Sequence, residues 1–229
     1  MDGLQPEQQL QKTASKEKVA LVIGAGDATG GEIAKRFARG GYIACMTRRN
    51  AEKLQPLIAE IEAEGGLAYG FASDARKEDQ VIALVEEIEA NIGEIDVLVF
   101  NIGANVPCSI LEETARKYFK IWEMACFGAF LTGREVAKRM VVREHGSIIF
   151  TGATAGIRGA ANFAAFAGAK HALRALAQSM ARELGPKNIH VAHVVVDGAI
   201  DTDFIKDTFP EMYARKEHDG ILNPVHIAE

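Results

Sequence analysis

The sequence predicts a doubly wound α/β fold, in which helices cover both faces of a parallel β-sheet. Apolar runs of strand length alternate along the 229 residues with longer amphipathic stretches of helical period. Most of the strand-length runs are continuously apolar, which is typical of strands that are buried on both faces. The strands are predicted at 19–23, 42–46, 67–72, 97–100, 147–151 and 190–196.

The helical stretches lie between these strands, and three of them are followed by a glycine pair or Gly-Pro, where a chain leaves a helix. Such strand–helix alternation implies right-handed crossovers, and ligands then bind beyond the carboxyl ends of the strands. We expect one domain over 18–229, after a polar and disordered tail over 1–17. The helices are predicted at 31–39, 51–64, 78–92, 115–140 and 162–184.

Composition excludes several function classes. The net charge of −5 and the isoelectric point near 5.8 argue against broad nucleic-acid binding, because no basic face dominates. The three cysteines are unevenly spaced, so they indicate neither a disulfide framework nor a metal site. Apolar runs are too short to cross a bilayer, and the first residues lack the apolar core of a signal peptide, so we expect a cytoplasmic protein without membrane contact.

A glycine-rich turn follows the first strand. Gly24, Gly26 and Gly30 lie between this strand and the first helix. Glycine at such a turn lets the backbone approach a pyrophosphate, which then lies against the helix N-terminus. The motif alone is weak, and an ordinary strand–helix turn is the alternative; in its position we interpret it as a dinucleotide site.

The second strand ends in Thr47-Arg48-Arg49, with no acidic residue. An acidic side chain there would hold the ribose hydroxyls of NAD, whereas arginines suit the 2′-phosphate of NADP through charge-assisted bonds. A solvated basic turn is the alternative. The sequence therefore favours NADP(H) over NAD(H).

Taken together, the segments at 24–31, 146–153 and 181–185 make the chain resemble the short-chain dehydrogenase/reductase family over residues 18 to about 205. The resemblance implies a Rossmann-type domain with NAD(P) at the glycine turn. It further implies that Asp74 contacts the adenine, Thr202 the carboxamide and Lys170 the ribose of the cofactor. Asn101 begins the segment that matches the family's Asn-Asn-Ala-Gly loop after the fourth strand. Ile23, Ala28 and Asp197 depart from the family's pattern, the last standing where relatives have proline.

The catalytic positions implied by the resemblance are mostly altered. Phe166 stands at the place of the family's tyrosine, Ala153 at that of its serine and Ala125 at that of its asparagine; only Lys170 is retained. A positioned general acid contributes about 10²–10⁴ in rate, and phenylalanine keeps the ring without the O–H. We therefore expect an oxidoreductase of weak or non-standard activity, or alternatively a regulatory or scaffold pseudoenzyme that still binds the cofactor.

A few other polar residues are candidates to substitute for the missing groups. Either hydroxyl of Thr151 and Thr154 could orient a carbonyl, but threonine is a poor acid without an activating base. We expect His193 to be a satisfied core histidine, and His171 to face away from the cofactor because successive helical residues diverge by about 100°. Tyr213 would reach the site only if a lid closed. We expect Cys108 to be a small buried hydrophobic residue, with a place in the pocket wall as the alternative.

The two longest predicted helices, 115–140 and 162–184, are rich in small residues that permit close helix approach. The resemblance implies that they form a four-helix interface, so we expect a homodimer or a homotetramer; ordinary packing against the sheet is the alternative. The resemblance implies a further strand after a segment like 223–229, so either the protein lacks that strand or the sequence is shortened at its end. Without it we expect the sixth strand to be an exposed edge unless a partner or a loop covers it.

Overall fold

A computed structural model describes residues 17–218 and 220–229. Six parallel strands form one sheet in the order β3-β2-β1-β4-β5-β6, so the strand order reverses between β1 and β4. This arrangement confirms the predicted doubly wound, Rossmann-type fold. The strands are β1 Lys18–Ile23, β2 Ile43–Arg48, β3 Ala68–Ala72, β4 Glu94–Phe100, β5 Gly146–Ala153 and β6 Ile189–Val196.

Helices connect the strands and cover both faces of the sheet. Three of the predicted helices differ from the observed ones for local reasons. They are α1 Thr29–Arg39, α2 Gln55–Ala63, α3 Glu78–Asn91, α4 Ala115–Trp122, α5 Gly128–Arg143, α6 Ala164–Leu184, α7 Asp203–Thr208, α8 Pro210–Tyr213 and α9 Pro224–Ala228.

The predicted helix over 51–64 begins as a 3-10 turn, and α2 starts at Gln55 with Pro56 in its first turn, where a missing N–H is tolerated. The helix predicted from 162 starts at Ala164, because Asn162 has a φ of 66°. The single helix predicted over 115–140 is wrong: a π-helical turn, Glu123–Phe127, separates α4 from α5.

The central strands β1, β2 and β4 are buried on both faces, as their continuous apolarity predicts, whereas the edge strands β3 and β6 are partly exposed. Along β1, Leu21 and Ile23 join the core beneath α3, α5 and α6, whereas Ala20 and Val22 join the core beneath α1 and α2. Alternation of side chains along a strand sends neighbours to opposite faces, so both faces need apolar residues.

At one side of the sheet, β6 has β5 as its neighbour among the described strands, which confirms the predicted edge. Glu17 is joined to the sheet, because its carbonyl accepts a hydrogen bond from the Glu94 amide. The rest of the tail predicted to be disordered lies outside the described residues. Among the described helices, none combines the length and apolarity needed to cross a membrane.

Candidate active site

The carboxyl ends of β1, β4, β5 and β6 surround a cavity of about 720 Å³, and a second cavity of about 370 Å³ lies at the ends of β2 and β3. Gly24, Gly26 and Asn101 line both cavities. The two cavities therefore form one continuous cleft along the edge of the sheet where the strand order reverses, which is where such folds bind ligands.

The glycine turn is shaped to hold an anion. Gly24 adopts a φ of 85°, and a Cβ on Gly30 would lie 2.4 Å from the carbonyl oxygen of Gly24. A Cβ on Gly26 would meet nothing within 4 Å, so this backbone faces the open cleft. No side chain caps the start of α1, and the buried Thr29 Oγ1 has no hydrogen-bond partner. The turn therefore fits the pyrophosphate of a dinucleotide.

Basic side chains surround the smaller cavity. Arg48 lines it and donates to the Asp27 carboxylate over 2.8 Å, and Arg49 lines it as an exposed side chain. Arg76 binds the carboxylate of Asp74 through Nε at 2.9 Å and Nη2 at 2.6 Å. Hydrogen bonding to Arg76 holds the pKa of Asp74 below its ordinary value. Three guanidinium groups thus face this end of the cleft.

Asn101 and Thr202 line the larger cavity. The Asn101 amide group donates to the carbonyl oxygen of Gly24 over 3.4 Å, so it ties the end of β4 to the glycine turn. Thr202 Oγ1 caps α7 by accepting from the Ile205 amide at 3.2 Å. A hydroxyl that accepts in a cap can still donate its proton to a ligand.

Lys170 is a buried residue whose ammonium group is held by the backbone. Its Nζ donates to the carbonyl oxygens of Thr151 at 2.8 Å and Ile102 at 3.3 Å. Burial lowers the pKa of Lys170 to about 8. An ammonium has three donors, so one remains for a ligand in the larger cavity, which Lys170 also lines.

The three positions to which the resemblance assigns the family's tyrosine, serine and asparagine meet in one apolar cluster. Ala125 and Phe166 belong to it, and Ala153 packs against it from the end of β5. Phe166 and Ala153 also line the larger cavity. Carbon atoms thus occupy the part of the wall where the resemblance expects a phenol and a hydroxyl.

A pair that the sequence did not reveal lies beside this cluster. The Thr154 hydroxyl donates a short hydrogen bond to Asp197 Oδ1, and both residues line the larger cavity. They are 43 positions apart in the chain. The available signal was the aspartate itself, standing where relatives have proline.

Comparison with known proteins decides the family. The family model described as short chain dehydrogenase matches residues 18–212. This chain belongs to the short chain dehydrogenase family. As a member of that family it is an oxidoreductase by descent, with a nucleotide-binding domain of the Rossmann type.

Individual relatives of this short chain dehydrogenase differ in substrate and cofactor. A short-chain dehydrogenase structure from Rhodopseudomonas palustris is 50% identical, with a TM-score of 0.75 over 86% of this chain and 91% of that one. A 2-dehydro-3-deoxy-D-gluconate 5-dehydrogenase from Formosa agariphila is 32% identical over 85% of this chain and 79% of its own length. Among structural neighbours, a polyketide ketoreductase was solved with NADPH (26% identity, TM-score 0.84, 93% and 86% covered) and a xylitol dehydrogenase with NAD⁺ (25%, 0.85, 92% and 89%).

The remaining candidate side chains of this short chain dehydrogenase lie outside the cavity walls. His171 is exposed on α6, where its Nδ1 lies 2.9 Å from the Ala167 carbonyl oxygen. Tyr213 donates to Asp201 over 2.8 Å. Cys108 is half-buried, and its amide donates to the Asn162 carbonyl.

The expectation for His193 is wrong. It lies against Gly152, and its buried Nε2 has no hydrogen-bond partner. Burial is the main cause of its lowered pKa, with Lys170 and Arg174 adding positive charge nearby. The imidazole is held by packing and has no polar contact at that nitrogen.

Proposed function

We propose that this protein is an NADP(H)-dependent oxidoreductase that transfers hydride to or from a small carbonyl, alcohol or related substrate without a tyrosine acid. The observation that carries the proposal is the continuous cleft, which joins a glycine turn and basic cavity to a cavity of about 720 Å³. The first part suits a dinucleotide, and the second leaves room for a small molecule beside it.

The backbone at Gly24, Gly26 and the start of α1 would hold the pyrophosphate. Arg48 and Arg49 would face the 2′-phosphate, and the free donor of Lys170 would meet a ribose hydroxyl. Arg48 binds Asp27 and Arg76 binds Asp74, whereas Arg49 forms no salt bridge with a described residue and acts on Asp74 only through its charge. A guanidinium without a salt bridge gains most from an added phosphate, which supports the preference for NADP(H).

The cofactor would supply or accept hydride, and the protein has to manage the charge that remains on the substrate. Reduction of an ordinary ketone leaves an alkoxide that needs a proton. Phe166 and Ala153 have no proton to offer, so turnover of ordinary ketones is expected to be slow. The cavity is better suited to a substrate whose reduction needs no strong acid at this point.

A cofactor-binding pseudoenzyme is the second candidate. Two of the three donors of Lys170 are bound by carbonyl oxygens of the chain itself. The lysine therefore has a structural use that persists without catalysis, as a regulatory or scaffold protein would require. This candidate predicts NADP(H) binding without oxidation of the reduced form by any substrate class.

We also propose a homodimer or homotetramer in the cytoplasm. Support comes from the outer side of α4 and α5, where Phe119, Trp122, Phe127 and Phe130 form a continuous ring stack with centroid distances of 5.8–6.0 Å. Phe119 is 56% exposed, and a second copy would cover it. Light scattering of the wild type and of Phe119→Ser tests this: a monomeric wild type contradicts it.

Calorimetric titration with NADPH, NADP⁺ and NADH tests the main proposal. We expect the phosphorylated forms to bind at least tenfold more tightly than NADH, and Arg49→Gln to remove most of that preference. Arg182→Gln is the matched control, since Arg182 lies near the far end of α6. Absence of binding by all three dinucleotides would overturn the proposal.

A further inference from the structure

We propose that Asp197, oriented by Thr154, anchors a cationic nitrogen in the larger cavity, so that the oxidised substrate is an iminium ion and the reduced product an amine. This inference rests on the proposed function and names its substrate class. It concerns the one carboxylate that lines the larger cavity while bonded to a cavity hydroxyl.

Strand register places the pair. Ala153 and Val196 are direct partners at the ends of β5 and β6, and Thr154 and Asp197 are the residues that follow these two strands. The Thr154 hydroxyl donates to Oδ1 of Asp197. One oxygen of the carboxylate is thereby oriented, and Oδ2 is available as an acceptor for a ligand. The pair begins one residue beyond Ala153, the position that lost its hydroxyl.

Asp197 is an exposed residue, so solvent also reaches its carboxylate. Within residues 17–218 and 220–229, no salt bridge joins Asp197 to a lysine, arginine or histidine. Two cationic side chains, Lys170 and Arg158, also line the cavity. The Lys170 ammonium is directed to the carbonyl oxygens of Thr151 and Ile102, and Arg158 is exposed at the rim. A bound cation would supply the charge partner that Asp197 lacks.

Aromatic side chains also line the larger cavity, among polar residues such as Asn101 and Thr202. Phe163 and Phe166 line it from the side of α6, and Phe204 and Phe209 line it from α7. The last two rings meet edge to face with centroids 6.2 Å apart. Aromatic faces attract organic cations, and a carboxylate among them distinguishes a cationic nitrogen from a neutral carbonyl oxygen.

An iminium substrate also removes the need for the missing acid. Its carbon accepts hydride from the reduced nicotinamide dinucleotide, the π electrons of the C=N bond become the lone pair on nitrogen, and the dinucleotide is left oxidised. Charge and atoms balance without a proton, because the nitrogen carries its proton or third substituent already. A ketone, in contrast, would leave an alkoxide beside the carboxylate, which is an unfavourable pair of like charges.

The test is a binding measurement that does not depend on turnover. Tetrahydroisoquinoline, a cation at neutral pH, is titrated calorimetrically against the protein with and without NADP⁺, and isochroman serves as its neutral oxygen analogue. We expect the amine to bind roughly 10- to 100-fold more tightly than isochroman, as a charge-assisted bond implies. Asp197→Asn should abolish this difference while leaving isochroman affinity unchanged.

Three further variants keep the result interpretable. Thr154→Val should weaken amine binding severalfold and Thr154→Ser should not, since serine keeps the hydroxyl. Asp207→Asn, at an exposed carboxylate of α7 outside the cavity, should leave amine binding intact. If thermal unfolding shows that the Asp197→Asn protein does not fold, the two Thr154 variants test the inference in its place.

Equal affinity for amine and isochroman in the wild type would overturn the inference, as would full amine affinity in a folded Asp197→Asn protein. Failure of the proposed function is a separate result, because it appears as absent dinucleotide binding in the calorimetry above. With NADPH bound, reduction of dihydroisoquinoline at a rate at least tenfold above that of cyclohexanone is the expected turnover, and the reverse order of rates counts against an iminium substrate.

Discussion

The Nζ atom of Lys170 lies 5.9 Å from the centroid of the Phe166 ring, one helical turn away on α6. The ring therefore covers an ammonium that is also bound to the carbonyl oxygens of Thr151 and Ile102. Phe166 and Lys170 stabilise each other as a cation and an aromatic face, an interaction of about 1–2 kcal/mol when desolvated. Lysine retention is thus explained by packing as well as by cofactor binding.

Adding hydroxyls at positions 166 and 153 tests whether the pocket can support carbonyl chemistry. In Phe166→Tyr/Ala153→Ser, the new phenol would lie near an ammonium whose pKa is lowered to about 8. We expect carbonyl reductase activity to rise about 10²-fold over the parent, as a positioned acid provides. NADPH oxidation with a small ketone measures it.

The control for this gain is Phe163→Tyr/Ala155→Ser, which adds the same groups to the same cavity at neighbouring positions. It should stay at the parent's rate. An inert double variant at 166 and 153, with NADPH still bound, would mean that the cavity has diverged beyond these two side chains.

Lys170 should make the free energy of unfolding depend on alkaline pH. Its folded-state pKa of about 8 lies below the ordinary 10.5, so the unfolded chain binds more protons between these values. Stability then rises with pH across this window, by up to about 3 kcal/mol from this residue. Urea unfolding of the wild type and Lys170→Met from pH 8 to pH 10 measures the difference, and parallel pH profiles would contradict the buried charge.

Substitutions at two glycines of the turn should affect stability and cofactor binding differently. Gly26→Val places a side chain into the open cleft, so we expect unfolding free energy to change by less than about 1 kcal/mol and NADPH affinity to fall at least tenfold. Gly30→Ala instead drives a Cβ to 2.4 Å from the Gly24 carbonyl oxygen and should destabilise the protein by about 1–3 kcal/mol. Chemical denaturation and calorimetry on both variants check this, and the reverse ranking would refute the assigned orientations.

His193 should destabilise the protein in mild acid. Its folded-state pKa is lowered from 6.5, so below that pH the unfolded chain binds the extra proton and stability falls as pH falls. His193→Leu should flatten the loss between pH 7 and pH 5, whereas His190→Leu, at an exposed histidine of the same strand, should not. Thermal unfolding temperatures at several pH values give the comparison.

The local pattern of apolar residues in the sequence predicted most of the fold. The sequence pattern located all six strands to within about three residues, and the signal is clearest in β1, β2 and β4, where burial on both faces makes most positions apolar. The π-helical turn left no such signal, since Glu123–Phe127 has an ordinary helical composition.

In the site, motif position indicated the glycine turn and Lys170, both of which line the cleft. The hydrogen bond between Thr154 and Asp197 was not predictable, because it joins two strand ends that only the sheet register aligns. The orphaned nitrogen of His193 likewise depends on Gly152 of the adjacent strand.

The π-helical turn between α4 and α5 limits which sequence changes this segment can accept in evolution. α4 packs on α6 and α5 packs on β4, and the wider turn sets the angle between these two faces. Removing one residue from it would rotate everything downstream by about 100° and carry the buried Val136 and Met140 of α5 away from the sheet. This segment should therefore tolerate substitutions, such as alanine at 125, but not insertions or deletions.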